Sequence, residues 1–158
     1  MEHSSKGKYV GKKVVITGGS SGFGFTTAKL LADEGARVLI TGRTQATLDS
    51  ACEQLGNNAV AVLSDDASLK DIDALADRVK VEFGTIDALF VNAGVTRFAP
   101  FEAVTEDVYD ELLTINAKGS VLHHAETRPV AERRKRRGAH HLCSERVGDP
   151  NDQCIRGQ

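Results

Sequence analysis

The stretch Thr17-Gly18-Gly19-Ser20-Ser21-Gly22-Phe23-Gly24 follows an apolar run, Val14-Val15-Ile16, and leads into a segment with helical periodicity. Between a strand and a helix, a glycine-rich run carries a specific meaning. The first turn of the helix offers unpaired backbone N–H groups and the positive end of its dipole to an anion. Glycines let the chain turn sharply and approach a pyrophosphate with no Cβ in the way. The run reads as a dinucleotide-binding loop rather than an incidental cluster of glycines.

Working outward, short apolar runs alternate with helical patterns up to about Val121. Strands are expected over 13–17, 37–41, 59–63 and 88–91, and helices over 25–34, 46–55, 69–83 and 105–113. Ile72, Leu75, Ala76 and Val79 recur at helical spacing in the longest of these. Thr105, followed by Glu106 and Asp107, is a helix N-cap with acids in the first turn. Apolar strands alternating with helices imply a parallel sheet covered on both faces.

The chain has 158 residues, enough for one modest core. Its formal net charge of -2 exerts no global pull on nucleic acid or on an anionic membrane, so neither is expected as a partner. No apolar run approaches spanning length, and Met1 to Lys8 is polar, without the apolar centre of a signal peptide. Cys52, Cys143 and Cys154 make no disulfide framework, which suits a reducing, cytoplasmic setting.

After Val121 the pattern breaks. Residues 122–158 hold seven of the eleven arginines and four of the five histidines, and Arg133-Arg134-Lys135-Arg136-Arg137 has no apolar stripe beside it. Such a segment cannot bury enough apolar surface to offset its ordering entropy, so a disordered basic tail is expected. Three other readings stay open. The arginine cluster could bind nucleic acid or serve as a nuclear address. His140, His141, Cys143 and Cys154 could ligate zinc, although their spacing matches no familiar site; no metal is expected. The tail could also be an evolved regulatory segment.

Residues 10–121 resemble the classical short-chain dehydrogenase/reductase family. Thr17 to Gly24 is similar to its TGxxxGxG loop, with Phe23 where isoleucine is usual. Asn92-Ala93-Gly94 matches its NAG motif, and Asn116 in Ile115-Asn116-Ala117-Lys118-Gly119 matches its active-site asparagine. The resemblance implies a Rossmann-type doubly wound α/β sheet, here cut to about four strands in the order 3-2-1-4. It implies hydride transfer between a nicotinamide nucleotide and a carbonyl or alcohol substrate. Gly18, Ser20, Ser21, Gly22, Phe23 and Gly24 would surround the pyrophosphate and ribose, and Asp65 would bond the adenine. Asp66 stands where the family usually has valine, which weakens that contact. Asn92, Ala93 and Gly94 would line the adenosine ribose and support the central strand.

Charge argues the choice of cofactor. NAD binders place a carboxylate at the end of the second strand to accept from the ribose 2′-OH. Here that strand ends Thr41-Gly42-Arg43, and a guanidinium suits a 2′-phosphate instead. NADP(H) is therefore expected over NAD(H), with Arg43 on the phosphate.

The family's chemistry also needs a tyrosine, a lysine four residues on that lowers its pKa, and a serine. Tyr109 has Leu113 at that position. Tyr9 has Lys13, but both precede or begin the first strand, so the pairing reads as coincidence. Asn116 remains as the family's one catalytic position, and no turnover is expected. Reading each codon from about Leu122 one nucleotide later permits a serine at the Leu142–Cys143 junction and a tyrosine at Ile155–Arg156, thirteen codons apart as in the family. A frameshift near residue 122 accounts for that pattern, and the gene sequence checks it. The expected consequences are an uncovered fourth strand, marginal stability, aggregation, and no homo-oligomer of the family type.

Overall fold

The computed structural model describes residues 7–127. Its four strands are β1 (Lys13–Ile16), β2 (Arg37–Gly42), β3 (Ala59–Leu63) and β4 (Ala88–Phe90). They form one sheet in the order β3-β2-β1-β4, with every neighbouring pair parallel, as the family pattern requires. Val14, Val15 and Ile16 sit opposite Val38, Leu39 and Ile40 on one side and Ala88, Leu89 and Phe90 on the other.

Successive strand residues point to opposite faces, so these continuous apolar runs feed two cores. Val14, Ile16, Val38 and Ile40 pack with Ala28, Ala32, Leu48, Ala51 and Leu55 from α1 (Gly22–Asp33) and α2 (Gln45–Leu55). Val15 and Leu39 pack on the other face with Leu75, Val79 and Phe83 of α3 (Leu69–Phe83) and with Ile86. The sheet is doubly wound.

Two helix starts follow directly from sequence. The Ser68 hydroxyl accepts from the Asp71 N–H at the head of α3, and Thr105 accepts from Val108 at the head of α4 (Glu106–Leu113). Each satisfies a donor that the helix itself leaves without a partner. Elsewhere the expected bounds shift. Helix α1 begins at Gly22 rather than at residue 25, so the glycine loop itself forms the first turn, and the Phe25 N–H already bonds the Ser21 carbonyl.

The other correction concerns the boundary at Val121. Helix α4 runs through a π-helical segment, Thr114–Gly119, into α5 (Ser120–Thr127). Residues 122–127 are thus helical rather than part of a structureless tail. The reason is tertiary: α5 packs beside α3, and His123 is buried against Asp66. The Arg133–Arg137 run, the His140, His141, Cys143 and Cys154 set and the shifted-frame serine and tyrosine lie outside the described residues.

Candidate functional site

At the carboxyl ends of the strands lies a cleft of about 330 Å³. Its lining joins Gly18, Ser20, Ser21 and Phe23 from the first loop, Gly42 and Arg43 after β2, and Asp65 and Asp66 after β3. Asn92, Ala93, Gly94 and Val95 after β4 and Ile115 of the π-helical segment complete it. In open α/β sheets this edge is where ligands bind, at the point where strand order reverses. Here the reversal falls between β1 and β4, whose following loops face each other across the cleft.

Thr17 holds the cleft's floor together. Its side chain is fully buried, and its hydroxyl oxygen accepts from the N–H groups of Asn92 (3.1 Å) and Ala93 (3.0 Å). The Asn92 amide in turn donates to the carbonyls of Thr17 (3.2 Å) and Gly18 (3.3 Å). The loop is anchored on its other flank where Gly18 N–H donates to the Thr41 hydroxyl and Gly19 N–H to the Thr41 carbonyl. The loops after β1, β2 and β4 are therefore one hydrogen-bonded unit. Asn92 and Ala93 tie the loop after β4 to the end of β1 in this way, and Asn92 does so without leaving the cleft wall.

Glycine is required where backbones meet. A Cβ on Gly24 would lie 2.3 Å from the Gly18 carbonyl oxygen and 2.6 Å from the Asn92 amide nitrogen. Gly18, at φ +64°, would bring one to 2.9 Å from the Ala93 Cα. Gly22 and Gly24 do not line the cleft; they form the first turn of α1 behind it. Their contribution is the turn itself and the N–H groups it leaves open toward an anion.

Arg43 stands at the rim beyond β2, with Asp65 beside β3. The Asp65 carboxylate accepts from the Ala67 N–H (3.0 Å), a short turn that fixes its direction, and its own N–H donates to Asp71. Asp66 is buried, with its carboxylate against His123 Nε2 of α5. The substitution of aspartate for the family's valine thus comes with a partner, which no local pattern in the sequence revealed.

Asn116 is exposed and lies outside the cleft lining. Its side chain makes a double link to Val95: Oδ1 accepts from the Val95 N–H (2.8 Å) and the amide donates to the Val95 carbonyl (2.9 Å). Its backbone carbonyl accepts from the Ser120 hydroxyl (3.0 Å). The residue therefore staples the segment after β4 to the π-helical turn. Just beyond, Arg97 forms a two-pronged pair with Glu111 of α4, Nε to Oε2 at 3.0 Å and a terminal nitrogen to Oε1 at 2.8 Å. Sequence reasoning missed Gly42, Val95 and Ile115 as lining residues; their adjacency to Arg43, Gly94 and Asn116 was the available signal.

Three comparisons bear on this arrangement. The family model for short chain dehydrogenases matches residues 12–139. The oxidoreductase asL5 of Sarocladium schorii is 40% identical over 114 residues, which are 72% of this chain and 46% of that protein. Among solved structures, a short-chain dehydrogenase described as a glucose/ribitol dehydrogenase from Brucella melitensis superposes with a TM-score of 0.77 at 24% identity. That match covers 80% of this chain and 54% of the other, and shows the shared fold. A 3-ketoacyl-(acyl-carrier-protein) reductase from the same organism, solved in complex with NADH, gives a TM-score of 0.73 at 33% identity over 77% of this chain and 50% of its own. The chain spans about half the length of the curated relatives it matches.

Proposed function

The chain belongs to the short-chain dehydrogenase family, and from that premise we propose that its cleft binds NADP(H) and that it holds the nucleotide without catalysing hydride transfer. Members of the family are oxidoreductases acting on small molecules with a nicotinamide nucleotide. The observation carrying the cofactor reading is the single hydrogen-bonded unit of loops, with Arg43 at the rim and the open first turn of α1 behind the glycine loop.

The pyrophosphate and the adenosine half of the nucleotide would each have a counterpart among these residues. The first turn of α1 and the Gly18–Ser21 backbone would take the pyrophosphate, where dipole and N–H groups favour negative charge. Arg43 would take the 2′-phosphate through charge-assisted bonds. Asp65, its orientation fixed by Ala67, would accept from the adenine amino group. Asn92, Ala93 and Gly94 would face the adenosine ribose. When bound, the nucleotide would supply or accept the hydride; the chain's residues named here bind and orient it.

Support for the absence of turnover comes from the tyrosines, which are Tyr9 and Tyr109. Tyr9 and Lys13 lie at the amino end of the sheet, in a hollow with Lys12 and Thr85, at the opposite end from the cleft. Tyr109 is exposed on α4 with Leu113 one turn on. Neither pairs a phenol with a nearby lysine at the cleft, where the family's proton transfer would take place. Asn116, the remaining family position, serves as a positioning residue through Val95. Among the described residues no helix is long and apolar enough to cross a membrane.

Titration with NADPH and NADH, followed by an oxidation assay across secondary alcohols, tests this reading. Binding without turnover is the expected result. Arg43→Asp is expected to weaken NADPH by about 10- to 100-fold and NADH far less; an equal loss for both would defeat the NADP assignment.

A further inference from the structure

Asp65 and Asp66 are neighbours on the cleft wall, yet their carboxylates are held by different parts of the chain. Asp65 is fixed by its own turn: its side chain accepts from the Ala67 N–H and its carbonyl from the Ser68 N–H. Asp66 is fixed from 57 residues further on, where His123 Nε2 of α5 meets its carboxylate. A carboxylate only accepts, so Nε2 carries the proton of this bond. Both side chains are buried, and His123 itself does not line the cleft. The Asp66 backbone is approached from the same side. A Cβ on Gly119, one turn before His123, would come to 2.6 Å from the Asp66 carbonyl oxygen. Glycine at 119 thus lets the helix come close enough for His123 to reach the carboxylate.

We propose that His123 is a positioning residue for nucleotide binding: by holding the Asp66 carboxylate against α5, it keeps a second negative charge out of the cleft. This rests on the cleft being the dinucleotide site. A buried carboxylate is tolerated when a hydrogen bond replaces water, and it must regain solvent when that bond is lost. The open space that Asp66 borders is the cleft, whose wall already carries Asp65. Released there, the Asp66 carboxylate would oppose the phosphates of a nucleotide and crowd its base. The valine that the family usually has at this position needs no such restraint. Here the aspartate needs one, and α5 supplies it.

The test separates charge from shape. Dissociation constants for NADPH are measured by nucleotide fluorescence at about 20 mM and about 0.5 M salt, with circular dichroism to establish that each variant is folded. His123→Leu fills the space without a donor. It is expected to weaken NADPH about tenfold at low salt and less than about threefold at high salt. Adding Asp66→Val to His123→Leu removes the released charge, and His123→Gln keeps an N–H at similar reach; each is expected to recover most of the loss. A loss that is the same at both salts and persists in the double variant comes from shape alone, and overturns the proposal. Unaltered affinity in His123→Leu, or an equal loss in His123→Gln, overturns it too. Should His123→Leu not fold, His123→Met, more adaptable in shape, takes its place. Failure of both to fold would make His123 a residue of the fold only, and the proposal falls. If Arg43→Asp separates NADPH from NADH while His123→Leu binds as the native chain does, the cofactor reading stands and this inference alone fails. If the native chain binds neither nucleotide, the cofactor reading fails and takes this inference with it.

Discussion

On one side of β1 lies β2, whose Val38, Leu39 and Ile40 are sealed from solvent between helices; on the other lies β4, where Ala88 and Phe90 are exposed and Leu89 is half-buried. The helices differ in the same way. Each of α1, α2 and α3 seats several buried residues, while α4 seats none. Between β4 and α4, Phe98 and Phe101 are almost wholly exposed, at 97% and 90%. A hollow of about 760 Å³, larger than the cleft, runs along β4 and is lined by Tyr9, Lys12, Lys13 and residues 85–90. The contrast teaches that the cleft and the β4 flank have separate structural needs. The cleft needs β1, β2, their crossover and the loop after β4. Covering the flank needs further layers, and the relatives are about twice as long.

The contrast is breakable by experiment. The largest expected effect is on the sealed side: Leu39→Ala should cost about 2–5 kcal/mol by urea denaturation, because β2 cannot collapse around the void. Phe90→Ala, on an already exposed side chain, should cost under about 1 kcal/mol. Equal costs would mean that the two flanks are not differently built.

Next comes the joint between the regions. Thr17→Val removes the acceptor for two N–H groups in the cleft floor, and should cost about 2–3 kcal/mol while loosening NADPH. A stable variant with unchanged affinity would show that the loops after β1 and β4 are independent.

The open flank sets a smaller effect. A parallel edge strand with exposed apolar side chains is a template for association, so Phe90→Lys should raise the concentration at which light scattering begins and change stability by no more than about 0.5 kcal/mol. Unchanged association would move the sticky surface elsewhere, toward Phe98 and Phe101.

The smallest effect concerns the Arg97–Glu111 link between the segment after β4 and α4. The Glu111 carboxyl is lowered in the folded chain, so its contribution is fully present above the ordinary carboxylate pKa and is lost as pH falls through the lowered value. Removing the pair by Glu111→Gln should therefore leave the thermal midpoint below that pH range unchanged and lower it slightly at neutral pH. A variant as stable as the native chain at every pH would assign the link no part in holding α4.

Much of this was readable in the sequence because the signals are local. The bounds of β3 and α3 match the apolar runs and helical spacing that announce them, and Thr105 caps α4 where a threonine before two acids should. The cleft was legible for the same reason: glycines, an arginine after a strand and an Asn-Ala-Gly turn each declare a backbone or charge requirement in place. The start of α1 was harder, since a helix whose first turn is glycine lacks the apolar periodicity that marks the rest. The continuation through Thr114–Gly119 into α5 had no such signal, because a wider helical turn is set by what packs against it.

What the sequence determined by itself was the order of strands and helices along the chain, the glycine turn that opens α1 and the place of Arg43 just past β2, since each depends on residues a few positions apart. Tertiary structure alone decided that Thr17 would carry the loop after β4, that Asn116 would hold Val95, that Asp66 would meet His123 and that Arg97 would fix Glu111. Contacts between residues 14 to 76 positions apart leave no periodic trace along the chain; they exist only once the sheet has brought its loops to one edge.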